Sequence, residues 1–276
     1  MMKKLLIYLL IILCFLIITP ATLALNGINF QVGAGWQNMS FSVGDNGSIY
    51  EDSSESLVYF FDGEINVSKN VKLIGSLNTG ETINAETINS APLTDLSGNY
   101  MRESVGLIYE LGKNQLFKLG VGAGVVLDSE TFTWIGDNDN QGPRNWEWQR
   151  SGQGLAGILG AKLQTSKLQI KTQFIYVPNL NYTEITQATK SSTWEKWVNT
   201  NNLAQQMQIK VSLELDLLRK LGFVAGYKYN LTNSSDQNVN IVYTDSAGGK
   251  AFVYDVKGDK TLEKGGLMFL GLKAIF

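Results

Sequence analysis

The amino-acid sequence predicts an all-β fold: a ten-stranded antiparallel transmembrane β-barrel, preceded by a cleaved signal peptide. Three observations carry that prediction. Apolar residues alternate with polar or small ones in segment after segment, the connections between segments are alternately short and long, and the face opposite the apolar one is rich in charge. A strand with hydrocarbon on one side and an aqueous lumen on the other must alternate in this way. Short turns at one end and long loops at the other are the known asymmetry of such barrels. A soluble sandwich or lipocalin-like barrel also alternates, but it buries its apolar face. Its polar face would then hold the charges in water, and a dry core built from the charged face would be prohibitive.

The first residues stand apart from this pattern. Lys3 and Lys4 precede an apolar run from Leu5 to Ile18, Pro20 breaks it, and Thr22-Leu23-Ala24 fits a cleavage site. That is the layout of a secretory signal peptide, so residues 1–24 are expected to be removed and residues 25–276 to form the barrel domain. An anchoring helix is the rival reading, since the run is almost long enough to span. The sole cysteine, Cys14, lies in this leader, which leaves no thiol for a disulfide or a thiolate metal site. Without the leader, 21 Lys and Arg face 25 Asp and Glu, a net charge of −4 that argues against nucleic-acid binding. Histidine is absent from the whole chain, which removes the commonest general base and the commonest metal ligand together. No cofactor is expected.

The strands follow in order. The first, from Leu25 to Val43, sets Ile28, Phe30, Val32, Ala34 and Trp36 on one face and Asn29, Gln31, Gly33 and Gly35 on the other. The second, Leu57 to Val67, turns at Ser68-Lys69-Asn70 into the third, Val71 to Leu77. The fourth, Tyr100 to Leu111, turns at Gly112-Lys113-Asn114 into the fifth, Gln115 to Leu127. The sixth, Arg150 to Gln164, turns at Thr165-Ser166-Lys167 into the seventh, Leu168 to Val177. The eighth, Leu203 to Leu217, turns near Arg219-Lys220 into the ninth, Leu221 to Leu231, and the tenth runs from Leu262 to Phe276. The stretches between odd and even strands read as long outer loops. An even strand count closes the sheet and removes its edges.

On the apolar face, Tyr59, Tyr109, Phe117, Phe174, Tyr176, Phe223, Tyr227 and Phe276 cluster toward strand ends, as interfacial girdles do. The opposite face supplies the lumen-lining candidates Glu64, Lys72, Arg102, Glu110, Lys118, Lys162, Lys171, Lys210, Glu214 and Lys228. Glu64 with Lys72, and Glu110 with Lys118, flank short turns from opposite sides and are placed to bridge neighbouring strands. Glycines recur on this face, among them Gly33, Gly106, Gly120, Gly122, Gly124, Gly226 and Gly271, and small residues relieve crowding in a narrow barrel. The ending Gly271-Leu272-Lys273-Ala274-Ile275-Phe276 resembles the C-terminal assembly signal of bacterial outer-membrane barrels, with Gly271, Ala274 and Phe276 as its elements. Expected partners are outer-membrane lipid and the barrel-assembly machinery, with an extracellular ligand possible through the loops.

Two loop features attract attention. Asp137-Asn138-Asp139-Asn140-Gln141-Gly142 matches the opening of a calcium loop, yet Trp148 stands where the bidentate glutamate belongs. Trp134, Trp146, Trp148, Trp194 and Trp197 either meet a partner or pack strand extensions at the rim.

With ten strands, the chain resembles the omptins, outer-membrane proteases built as tall barrels, most closely from strand eight onward through Phe223-Val224-Ala225-Gly226-Tyr227 and the glycine-rich closing strand. That resemblance implies catalysis by an aspartate pair facing an Asp–His pair. The matching stretches read Asn78-Thr79-Gly80-Glu81 and Tyr176-Val177-Pro178-Asn179-Leu180-Asn181, so no catalytic residue carries over. The expected function is therefore non-enzymatic, structural or surface-contacting in the bacterial outer membrane. A narrow solute channel is the alternative, and an omptin-like hydrolase ranks last.

Overall fold

The computed structural model describes residues 27–43, 50–88, 94–112, 116–137, 143–190, 193–218, 220–234, 237–244, 250–258 and 261–276, some of them by backbone alone. The leader lies outside the described residues, as do residues 138–142 of the calcium-like stretch.

Strands form wherever the alternation runs: β1 (Ile28–Val43), β2 (Tyr50–Asn66), β3 (Val71–Ile88), β4 (Thr94–Leu111), β5 (Phe117–Asp137), β6 (Pro143–Gln164), β7 (Leu168–Lys190) and β8 (Thr193–Asp216). Then come β9 (Leu221–Ser234), β10 (Gln237–Thr244), β11 (Lys250–Gly258) and β12 (Thr261–Ile275). These twelve segments make ten staves. Ser234 pairs with Ala204 of β8 and, five residues further along both strands, Val239 pairs with Asn199, so β10 continues β9 without a register shift. The pairs Asn233↔Leu262 and Gln237↔Gly258 join β11 to β12 in the same way. All neighbours are antiparallel, and β1 against β12 closes the ring, with Ile28 and Phe276 exchanging backbone hydrogen bonds of 3.1 and 2.9 Å. The result is a closed ten-stranded barrel.

The staves are longer than the alternation alone suggests, and much of what reads as loop is wall. β5 has 21 residues. At about 3.3 Å per residue and a tilt near 40°, such a strand rises roughly 50 Å, well beyond a hydrocarbon core of about 30 Å. The outward residues divide accordingly. Leu119, Val121, Val125 and Leu127 are exposed and apolar, whereas Ser129, Thr131 and Thr133 continue the same face above them. From Phe117 to Leu127 the apolar belt rises roughly 25 Å, close to the height lipid requires. Sequence reading detects that belt and stops where the outer face turns polar.

The seventh strand shows a second reason for the shortfall. Val177 pairs with Gln206 and Leu180 with Ala204, so one extra residue is inserted at Pro178-Asn179. The inner face switches there from odd positions (Ile175, Val177) to even ones (Leu180, Tyr182), all of them buried. Proline has no N–H to give the ladder, and a bulge is where a strand tolerates it. The strand therefore passes through a proline that reads as its end.

Candidate functional site: the lumen

Inward side chains form three layers. At the short-turn end, an unbroken chain of alternating charges runs Asp216–Lys273–Glu214–Lys171–Glu64–Lys72–Glu110–Lys118. Its contacts are 2.8 Å for Lys273–Asp216, 2.9 Å for Lys273–Glu214, 2.9 Å for Lys171–Glu214 and 3.3 Å for Lys171–Glu64. Lys72 bridges Glu64 and, at 2.6 Å, Glu110, which also holds Lys118 at 2.9 Å. The Gln31 amide donates to Glu214 at 2.8 Å. Because Lys171 on β7 reaches Glu64 on β2, the chain crosses the lumen as well as following its wall.

The middle layer is apolar with few charges. Phe60 and Phe269 meet edge to face with centroids 4.8 Å apart, and Val58, Val224 and Leu267 are buried with them. Lys210 lies 5.3 Å from the Phe269 ring centre and pairs with Asp62. Across the lumen, Val126, Ile158, Ile175, Val177 and Leu180 make a second buried cluster. These large inward groups are what the glycines accommodate. A Cβ on Gly33 would stand 2.2 Å from the Leu270 carbonyl oxygen and 2.5 Å from the Phe60 ring, and one on its cross-strand partner Gly271 would stand 2.4 Å from the Val32 oxygen and 2.8 Å from that ring. At Gly33 and Gly271 the missing side chains admit both a close approach of the neighbouring backbone and the Phe60 ring.

At the long-loop end two arginines and three carboxylates interlock. Arg102 binds Asp128 at 2.7 Å and lies 3.7 Å from both Glu130 and Glu263. Arg150 holds Glu130 at 2.8 Å and also Glu263. Gln206 donates to Asp128 at 3.1 Å, and the Tyr100 hydroxyl donates to Gln37. All five charged groups are at most 6% exposed, so desolvation forces each to keep a partner.

Of the residues expected to line the lumen, Glu64, Lys72, Glu110, Lys118, Lys171 and Glu214 fall in the first layer, Lys210 in the second and Arg102 in the third. Lys162 and Lys228 make no ion pair with any described residue. The alternation also places Asp62, Glu263 and Lys273 inward, and extending it past Leu127 would have found Asp128 and Glu130. The same parity places Phe60 beside Asp62, Tyr100 beside Arg102 and Phe269 beside Lys273 on the inner face, but it does not show that the rings meet across the lumen.

Among the described residues, space is found at the short-turn end. A cavity of about 620 Å³ opens among the short turns, lined by Lys69, Lys118, Lys162, Gln164 and Asp216 among others. Above it sits a second space of about 130 Å³ bordered by Lys171, Lys210 and Asp62. The aromatic layer and then the arginine layer stand beyond. Among the described residues no three His, Cys, Asp or Glu groups are arranged to hold a metal ion.

Neither a family profile nor a curated protein sequence matches this chain. Solved structures do. The outer membrane protease OmpT from Escherichia coli superposes with a TM-score of 0.65 at 10% identity, covering 92% of this chain and 99% of its own. Neisserial surface protein A aligns with a TM-score of 0.34 at 10% identity, over 90% of this chain and 97% of its own. The attachment invasion locus protein Ail of Yersinia pestis gives 0.30 at 11% identity, over 91% and 99%. The fold is an omptin-like ten-stranded outer-membrane barrel. No histidine occurs in the sequence, Asn78 is buried and donates to Ser76 at 3.3 Å, and Tyr176–Asn181 spans the β7 bulge. At the closing strand Gly271 lies beneath Phe60, Ala274 pairs with Phe30, and Phe276 is exposed beside Ile28.

Proposed function

We propose that this chain is a non-enzymatic protein of the bacterial outer membrane, serving as a closed structural wall that offers its long-loop end for contact with other molecules. The observation that supports this most is the filled lumen: the Arg102–Asp128–Glu130–Arg150–Glu263 layer lies over the Phe60–Phe269 layer, and neither borders the open cavity. Passage would require several desolvated ion pairs to part together. The exposed apolar belt favours lipid as the surrounding medium. The leader at residues 1–24 directs export, and Gly271, Ala274 and Phe276 serve the assembly machinery. Absence of histidine weighs against omptin-type hydrolysis, which needs a positioned base to activate water.

A narrow solute channel is the second reading, favoured by the cavity of about 620 Å³ at one end. Purified barrel in a planar bilayer separates the two, with rare or sub-nanosiemens steps expected. Steady porin-sized conductance would overturn the structural reading. Cleavage of dibasic peptides by clean protein would overturn the non-enzymatic part, and recovery of the protein in the inner membrane with Met1 retained would overturn the localisation.

A further inference from the structure

Three lysines stand shoulder to shoulder on neighbouring strands at the short-turn end. Lys118 of β5 is the register partner of Lys162 of β6, which is in turn the register partner of Lys171 of β7. Like charges directly opposite on a sheet repel. The outer two are compensated, Lys118 by Glu110 and Lys171 by Glu64 and Glu214. The central one is not. The acids that bear on Lys162 are Glu64 and Glu110, and each already spans two other lysines. Lys162 makes no ion pair with any described residue, and it borders both cavities.

An ammonium group set between two others, on the wall of a cavity of about 620 Å³ at the short-turn end, is arranged to receive an anion. We propose that this vestibule binds a small, soluble, polyvalent oxyanion of the phosphate class, held chiefly by Lys162 and Lys118. Neighbouring strands lie about 4.8 Å apart, so adjacent lysines are spaced for one tetrahedral anion to bridge them. A monovalent halide neutralises one ammonium at a time and lacks the several acceptor oxygens that two lysines would engage. The wall also offers the Gln164 and Asn66 side chains as further hydrogen-bonding groups. Because the cavity is bordered by turn residues such as Ser68 and Lys69 and not by the lipid-facing side chains, the ligand arrives from water.

The test is a titration of folded, purified barrel with inorganic phosphate against sodium chloride at equal ionic strength, read by calorimetry and by the melting temperature. Saturable binding of phosphate but not chloride is expected. Lys162→Gln should weaken it by about tenfold or more, the range for lost hydrogen bonds to a charged group, while Lys162→Arg largely retains it. Lys162→Gln should also melt higher than the parent in phosphate-free buffer, since it relieves repulsion; a purely structural lysine would lower melting in both buffers. Phosphate that behaves as chloride does, or equal phosphate affinity in Lys162→Gln and parent, would overturn the proposal. Should Lys162→Gln fail to fold, Lys118→Gln carries the same comparison, and unchanged phosphate affinity there overturns it.

Discussion

The two ends of the lumen hold similar inventories of charge in different surroundings. At the long-loop end Arg102, Asp128, Glu130, Arg150 and Glu263 are 2–6% exposed and pack against Tyr100 and Gln206. At the short-turn end Lys72, Glu64, Glu110 and Lys118 keep 11–31% of their side-chain surface and border the cavity of about 620 Å³, while Lys273 and Glu214 of the same chain of charges are at most 1% exposed. Ion pairs in the first setting have no solvent to fall back on, so each is a constraint on the closed state. Around Lys72, Glu64, Glu110 and Lys118 water can replace a lost partner, and those pairs are correspondingly weak. Burial, rather than the number of charges, decides which end seals the barrel.

The sharpest way to break that contrast is Arg150→Ala. It leaves Glu130 and Glu263 in a dry layer with only Arg102, 3.7 Å from each and already bound to Asp128. Removing one side of a buried pair costs about 3–5 kcal/mol, and urea unfolding midpoints in lipid vesicles should fall accordingly. A change below about 1 kcal/mol, the range of surface pairs, would mean that water reaches this layer.

Phe60→Ala comes next. The ring fills the space over Gly33 and Gly271 and meets Phe269, so its loss leaves a void that a rigid wall cannot close. About 3 kcal/mol of destabilisation is expected from core truncations of this kind. The same variant should show more frequent small conductance steps than the parent, because the vestibule then extends upward to the arginine layer. Unaltered stability and conductance would show that the aromatic layer seals nothing.

These two variants also mark how far the sequence could be read. The closed barrel, the strand pairing around each short turn and the Glu64–Lys72 and Glu110–Lys118 bridges are legible, because lipid imposes a period of two and short turns fix register. The upper wall is not, since its outer face turns polar after Leu127 and the hydrophobic signal ends while the hydrogen-bonded ladder continues to Asp137↔Pro143. Arg150 marks the lower limit of the sixth strand in sequence terms, yet seven paired residues precede it on β6. Phe60 is legible only in part: Tyr59 on the apolar face and Glu64 on the lumen face turn the ring between them inward by alternation. Its seat against Gly33 and Gly271 is set by cross-strand register, which that local pattern does not give.

Gly120→Ala probes the seating principle at lower cost. A methyl group there would meet Ile108 Cγ2 at 2.6 Å and nothing else closer than 3.8 Å. Overpacking of this size costs about 1–3 kcal/mol. Combined with Ile108→Ala, most of that strain should vanish, so the double-mutant cycle should show a clear coupling. Strict additivity would mean that the glycine is required by the backbone instead of by its neighbour.

Lys118→Gln should have the smallest effect, and it tests the wet end directly. The lysine is 31% exposed and binds Glu110 at 2.9 Å, but Glu110 keeps Lys72 at 2.6 Å when Lys118 is gone. A pair with this much access to water contributes about 0.2–1 kcal/mol. Part of even that is offset, because Lys118 faces Lys162 across the strand pair and neutralising one relieves the other. The net shift in unfolding midpoint should therefore lie within about 0.5 kcal/mol of zero, and added salt should shrink it further. A loss near 3 kcal/mol that persists in high salt would place Lys118 in the same dry regime as Arg150, and the distinction between the two ends would fail.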